Sequence, residues 1–130
     1  MSKDELVEEW LTLAIDDLAA AEHLFATMKR RPLEIVCFHC QQAGEKALKA
    51  VLQAKGREIP RVHDLLELRR QISDSLFDSA DIDRACSHLT IFGVSFRYPG
   101  KLDLEETDAE TALSEARRIL ELAKAAIAAH

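Results

Sequence analysis

Only 4 glycines and 3 prolines interrupt a chain of 130 residues. Between them run long segments in which apolar side chains recur every three or four positions. That period matches one face of an α-helix, and no segment shows the strict alternation of a half-buried strand. The chain is therefore read as all-α: an antiparallel up-and-down helical bundle of about five helices. By length it is a single domain over residues 1–130. With 48% apolar residues it can bury a core without staples.

The expected boundaries follow from caps and breakers. Ser2 and Glu5 have capping-box spacing, so helix one starts there. Leu6, Trp10, Leu13, Asp17, Ala20, Leu24 and Met28 fall on one of its faces, and Val7, Leu11, Leu18 and Phe25 widen the stripe. Pro32 is expected in the first turn of helix two, which runs to Lys55 with Gly56 just past its end. Asp64 caps a short third helix. A fourth spans about Ile82 to Phe92, with Gly93 ending it. Thr107 and Glu110 form a second capping-box pair, opening a last helix from Asp108 to about Ala129.

Charge and cysteine usage exclude several classes. No stretch is apolar for the ~18 residues that a membrane span needs. The acidic start, Met1-Ser2-Lys3-Asp4-Glu5, is not followed by the apolar core of a secretion signal. Three cysteines make no disulfide framework, which points to a reducing cytoplasm. The net charge of −6 argues against broad nucleic-acid coating, but it is unevenly spread. Residues 29–70 hold ten Lys/Arg against five Asp/Glu, a surplus of +5; the remainder holds seven against eighteen, or −11. A basic centre can still present an anion-binding surface.

Five constellations could carry chemistry. Cys37 and Cys40, with Cys86 and His88, have ligand-type side chains, but they fall mid-helix in apolar surroundings, where thiols serve as small hydrophobes. None of the five histidines has a glutamate three residues before it, so no di-iron pattern is present. His88 bears a faint likeness to phospho-accepting histidines, without the lysine usually just after it. On helix two, His39, Gln42, Lys46 and Lys49 share a face: either a solvated stripe or an anion contact through Gln42 and Lys46, with Glu45 placed to hold Lys46 or an arginine. In the loop 57–64, Arg57, Arg61 and His63 precede a helix N-terminus, where amides and guanidinium groups attract phosphate. Arg57 and His63 also suit metal-free RNA cleavage, the histidine exchanging protons and the arginine stabilising charge. Last, Arg97 and Tyr98 can grip phosphate and stack on a base, or plug the bundle end, with Arg97 paired to a carboxylate such as Glu45.

Four pieces in this order resemble the HEPN family: Trp10, Ala14, Asp17-Leu18 and Ala21; the run Phe38 to Ala50 with Gln41-Gln42-Ala43-Gly44-Glu45-Lys46; Gly56 with Pro60-Arg61-Val62-His63-Asp64-Leu65; and Arg97-Tyr98-Pro99. Gly44 stands where alanine is common. The resemblance implies a helical bundle paired as a homodimer, and a role around nucleotides or RNA beside a minimal nucleotidyltransferase, often as a toxin–antitoxin pair. Some members cleave RNA without metal through an R-x4–6-H motif late in the bundle. Here the late segment offers only Arg84 and His88, too closely spaced, and the Arg57/His63 pair lies between helices two and three. The resemblance favours binding, and the polar positions clustered in the basic segment and the Arg97-Tyr98 loop are read as its site. Gln42, Lys46, Arg61, His63 and Arg97 serve as anion contacts, Tyr98 as a stacking face, with Glu45 and Asp64 orienting them. The alternatives are metal-independent RNA cleavage by Arg57 and His63, and a non-catalytic assembly module whose helix faces bind a partner chain. The resemblance implies no cofactor beyond a nucleotide ligand.

Overall fold

The computed structural model describes residues 1–95 and 103–129. Five helices follow in order: α1 (Lys3–Thr27), α2 (Leu33–Ala54), α3 (Leu65–Arg70), α4 (Ala80–Ser95) and α5 (Glu106–Ala128), with a single 3-10 turn at Ser75–Phe77 before α4. Among the described residues there is no strand. The protein is an all-α bundle.

Helix α2 is the axis. It packs most extensively on α1 and α5 and also meets α3 and α4. Its Val36, Cys37, Cys40, Ala43, Ala47, Leu48, Val51 and Leu52 are all buried. A helix enclosed on most sides must be apolar over most of its surface; α2 nonetheless buries three polar side chains, Gln41, Glu45 and Lys49. Leu65, Leu68, Ile82, Leu89 and Ile119 close the core from the other helices, and Phe77 of the 3-10 turn is wholly enclosed. Each such side chain contributes about 2 kcal/mol of burial.

The caps explain where helices start and stop. Ser2 Oγ accepts the Glu5 amide at 3.2 Å and Glu5 Oε1 accepts the Ser2 amide at 3.4 Å. At the end of α2, Gly56 (φ +70°) lets its own amide reach the Gln53 carbonyl and the Arg57 amide reach that of Leu52, a Schellman ending that only glycine adopts without strain.

Several expected boundaries move. Pro32 is the N-cap of α2 and lies outside the helix, because its ψ of 81° is not helical. Helix α4 begins before Ile82, since Ser79 Oγ captures the Ile82 amide at 3.1 Å. It also runs through Gly93 to Ser95. Gly93 is there for room: a Cβ on it would lie 2.8 Å from Gln41 Cδ. Helix α5 is capped by Glu105, whose amide donates to Asp108 Oδ2 at 2.8 Å, and not by Thr107 with Glu110.

The inner face of α1 is rotated from the expected stripe. Val7, Ala14, Leu18 and Ala21 are buried, whereas Leu13 and Met28 are exposed. Small alanines let α1 approach α2 closely. Gly44 does the same on α2: a Cβ there would sit 2.7 Å from Leu65 Cδ2, so the departure from alanine admits α3.

Candidate functional site

Gln41, Glu45 and Lys49 are spaced by four residues, so they stack along one line of α2. Their burial forces them to satisfy one another. Lys49 Nζ donates to Glu45 Oε2 at 3.0 Å, and Gln41 Nε2 donates to Glu45 Oε1 at 3.0 Å and to the His63 carbonyl at 3.2 Å. Gln42 Nε2 donates to Gln41 Oε1 at 2.7 Å. His63 completes the group, its Nδ1 lying 3.0 Å from Glu45 Oε1. Trp10 of α1 covers the far side, with Lys49 Nζ 5.6 Å from its ring centre, a cation–π contact.

Electrostatics fix the protonation of this cluster. Burial pushes the Glu45 carboxyl up, but the Lys49 ammonium and the hydrogen bonds from Lys49, Gln41 and His63 outweigh it and hold the group below the usual carboxylate range. Glu45 is therefore an anion that only accepts. The imidazole of His63, by contrast, has its side chain 69% exposed while Glu45's is 6% exposed. The arrangement is a solvent-facing histidine seated on a buried carboxylate.

The polar stripe expected along α2 divides in two. His39 Nδ1 lies 2.9 Å from Asp17 Oδ1, and Lys46 Nζ donates to Asp17 Oδ2 at 2.5 Å. Lys46 is thus tied to α1. It does not pair with Glu45, since adjacent residues on a helix point about 100° apart; Glu45 takes Lys49, one turn on. Asp17 was the signal for this: a carboxylate inside an apolar stripe must find a cation. Gln41 signals itself less clearly, because nothing in its neighbours marks it as fully buried.

In the 57–64 loop, Arg57 Nη1 donates to the Gln71 carbonyl at 3.2 Å. Arg57 also lines an open cavity of about 440 Å³ with Glu58, Pro60 and Gln71. Arg61 is exposed and has no hydrogen bond or ion pair among the described residues. Asp64 caps α3 by accepting the Glu67 amide at 3.1 Å, and the Leu65 amide goes to Thr90 Oγ1 at 2.9 Å. Two of the first three amides of α3 are therefore already taken. Arg97 and Tyr98 lie outside the described residues. Glu45, given as a partner for Arg97, already accepts from three side chains.

The remaining candidates settle into structural roles. Burial pushes the Cys37 and Cys86 thiols up to about 12 and raises Cys40 further, so all three pack as small hydrophobes. His88 is half-buried, pairs through Nδ1 with Glu115 and meets Phe92 edge-on at 5.1 Å. Burial pushes the Glu115 carboxyl up, against the pull of His88. Among the described residues no helix is long and apolar enough to cross a membrane.

Comparison with known proteins identifies the architecture that holds this cluster. A sequence model described as the HEPN domain matches residues 7–126. Among solved structures, the chain is similar to TT1696 from Thermus thermophilus, at 25% identity and a TM-score of 0.79, over 92% of this chain and 97% of that one. It is also similar to ST0689, an archaeal HEPN homologue, at 30% identity and a TM-score of 0.76, over 93% and 97% of the two chains. No curated protein matches the sequence. With a family match across most of its length, the chain belongs to the HEPN domain family.

Proposed function

We propose that this HEPN protein binds the phosphate of a nucleotide or RNA at the 57–64 loop, as the partner of a minimal nucleotidyltransferase in a toxin–antitoxin pair. The observation that carries the site is an exposed arginine without a partner, Arg61, two residues from a histidine held from below. Arg61 takes the phosphate through its guanidinium fork. His63 contacts the nucleotide beside it, and Gln42 has one amide hydrogen to add. Arg97 and Tyr98 supply a second guanidinium and a stacking ring. Glu45 orients His63, whereas Asp64 acts as a helix cap and Lys46 as the tie to α1.

Titration of ATP, GTP and a short RNA tests this. Arg61→Ala is expected to weaken binding about tenfold, the loss of one charge-assisted contact. Unchanged affinity in both Arg61→Ala and Arg97→Ala rejects the site. The partnership and a homodimeric state rest on the family likeness, and a cytoplasmic location on the three unpaired cysteines. Copurification with a nucleotidyltransferase and light scattering test them.

The Glu45–His63 pair also favours a second reading, metal-independent RNA cleavage. A carboxylate-seated imidazole is built to exchange protons, and Arg57 of the same loop, which donates to the Gln71 carbonyl, would stabilise developing charge. Cleavage of RNA in EDTA that disappears in His63→Ala supports it; no cleavage rejects it.

A further inference from the structure

We infer that one flank of α1 is the seam between two copies of this chain, each α1 lying antiparallel on the other with the twofold axis at Asp17. The inference deepens the homodimeric reading above by naming its face and register. It starts from an apolar stripe that the bundle leaves uncovered. Leu6, Trp10, Leu13, Ala20, Leu24 and Met28, with Asp17 among them, follow at helical steps and share one side of α1. None of the six is buried, and Leu13 and Met28 are 40% and 46% exposed. The core takes the neighbouring line of Val7, Ala14, Leu18 and Ala21 instead. Toward the start of the stripe, Leu6, Trp10 and Leu13 line a groove of about 330 Å³ with Gln53 of α2.

The stripe itself selects the occupant. Asp17 lies midway between Leu6 and Met28. An antiparallel second copy centred there sets Leu6 against Met28, Trp10 against Leu24 and Leu13 against Ala20. Large side chains thus meet small or flexible ones, and the unbranched Met28 fills the groove. The axis brings no unpaired charge together, because each Asp17 keeps its own His39 and Lys46.

Charge supports the same register independently. Asp4, Glu5, Glu8 and Glu9 crowd the first two turns of α1 against one lysine, Lys3, whereas Lys29 and Arg30 follow its end. The side chains of Asp4, Glu8, Glu9, Lys29 and Arg30 have no hydrogen bond or ion pair among the described residues. The register fixed by the stripe carries Lys29 and Arg30 of one copy over Glu5 and Asp4 of the other. A parallel pairing would set acid on acid. The size also suits: a strip about 33 Å long and about 20 Å wide, α1 with the edge of α2, buries about 1,300 Å² over two copies, within the range of stable interfaces.

Light scattering of the full chain at micromolar concentration is expected to give a dimer. Leu13→Arg, an exposed substitution checked for folding by circular dichroism, is expected to weaken it about tenfold or more. Glu5→Lys/Glu9→Lys and Lys29→Glu/Arg30→Glu should each weaken it alone, because like charges then meet at both ends of the seam. Mixed, these two variants should pair with each other about as tightly as wild type, since both ends are again opposite. A dimer unaffected by Leu13→Arg overturns the seam and leaves the homodimeric reading standing. So does a mixture that fails to recover. A monomeric wild type overturns both.

Discussion

Glu45 shows how one residue can combine stability and site chemistry. Its carboxylate neutralises Lys49 inside the bundle and seats His63 at the surface. Replacing it with glutamine leaves the Lys49 ammonium buried without its anion, which is expected to cost about 3 kcal/mol in urea unfolding. The pH dependence has a definite sign. A carboxyl held below its usual value of 4.5 contributes stability above that pH and loses it as the pH falls through the lowered value. The stability gap between wild type and Glu45→Gln should therefore shrink below about pH 4.5. Glu115 has the opposite sign: its raised value means that ionisation costs stability as the pH rises above 4.5. Glu115→Gln should then be no less stable than wild type at neutral pH. Lys46→Ala removes a partly buried partner of Asp17 and is expected to cost about 1–2 kcal/mol, with ATP affinity changed less than twofold.

At the scale of elements, the contact between α2 and the end of α4 decides whether the cluster can form. In an exposed helix Gly93→Ala would gain about 1 kcal/mol. Here the new Cβ would meet the Gln41 amide at 2.8–2.9 Å. That amide is the tip of a side chain, but it is wholly buried and bonded to Glu45, Gln42 and the His63 carbonyl, so it cannot swing away freely. Gly93→Ala is expected to lower stability by about 1–3 kcal/mol, with non-additive effects when combined with Gln41→Ala in a double-mutant cycle. The expected helix stop at Gly93 fails for this reason. A glycine reads the same in sequence whether it ends a helix or makes space for a neighbour. Ser2 with Glu5, Asp64 with Glu67 and Gly56 are legible beforehand because their partners are local in the chain.

The whole molecule redistributes charge that the sequence separates. Of the cations in the basic segment 29–70, Arg31 pairs with Glu106, Lys46 with Asp17, Lys55 with Asp74, and Arg69 with Asp78 and Asp83. Four of the ten cations of the centre are thus matched by the acidic remainder once the helices pack. The proposed contact at Arg61 is confined to one loop, so binding to single-stranded RNA should show a shallow salt dependence. With one or two phosphates neutralised, log K against log salt should fall with a slope of about −1 to −2. A much steeper slope would mean a broader basic face than Arg61 and its neighbours provide.

The helical class, the count of helices and most of their ends lie within the sequence alone, because hydrophobic period and capping are local properties. The family likeness is legible too, in residues that include the buried Gln41 and Glu45 of α2. Which face of α1 points inward, why Gly44 and Gly93 are glycines, and how the stripe on α2 divides were decided by tertiary packing. Those outcomes depend on residues far apart in the chain: Asp17 taking Lys46, Gln41 meeting Gly93, His63 seated on Glu45. A buried charge accepts whichever partner the fold brings within reach, and only the packed structure determines which side chain that is.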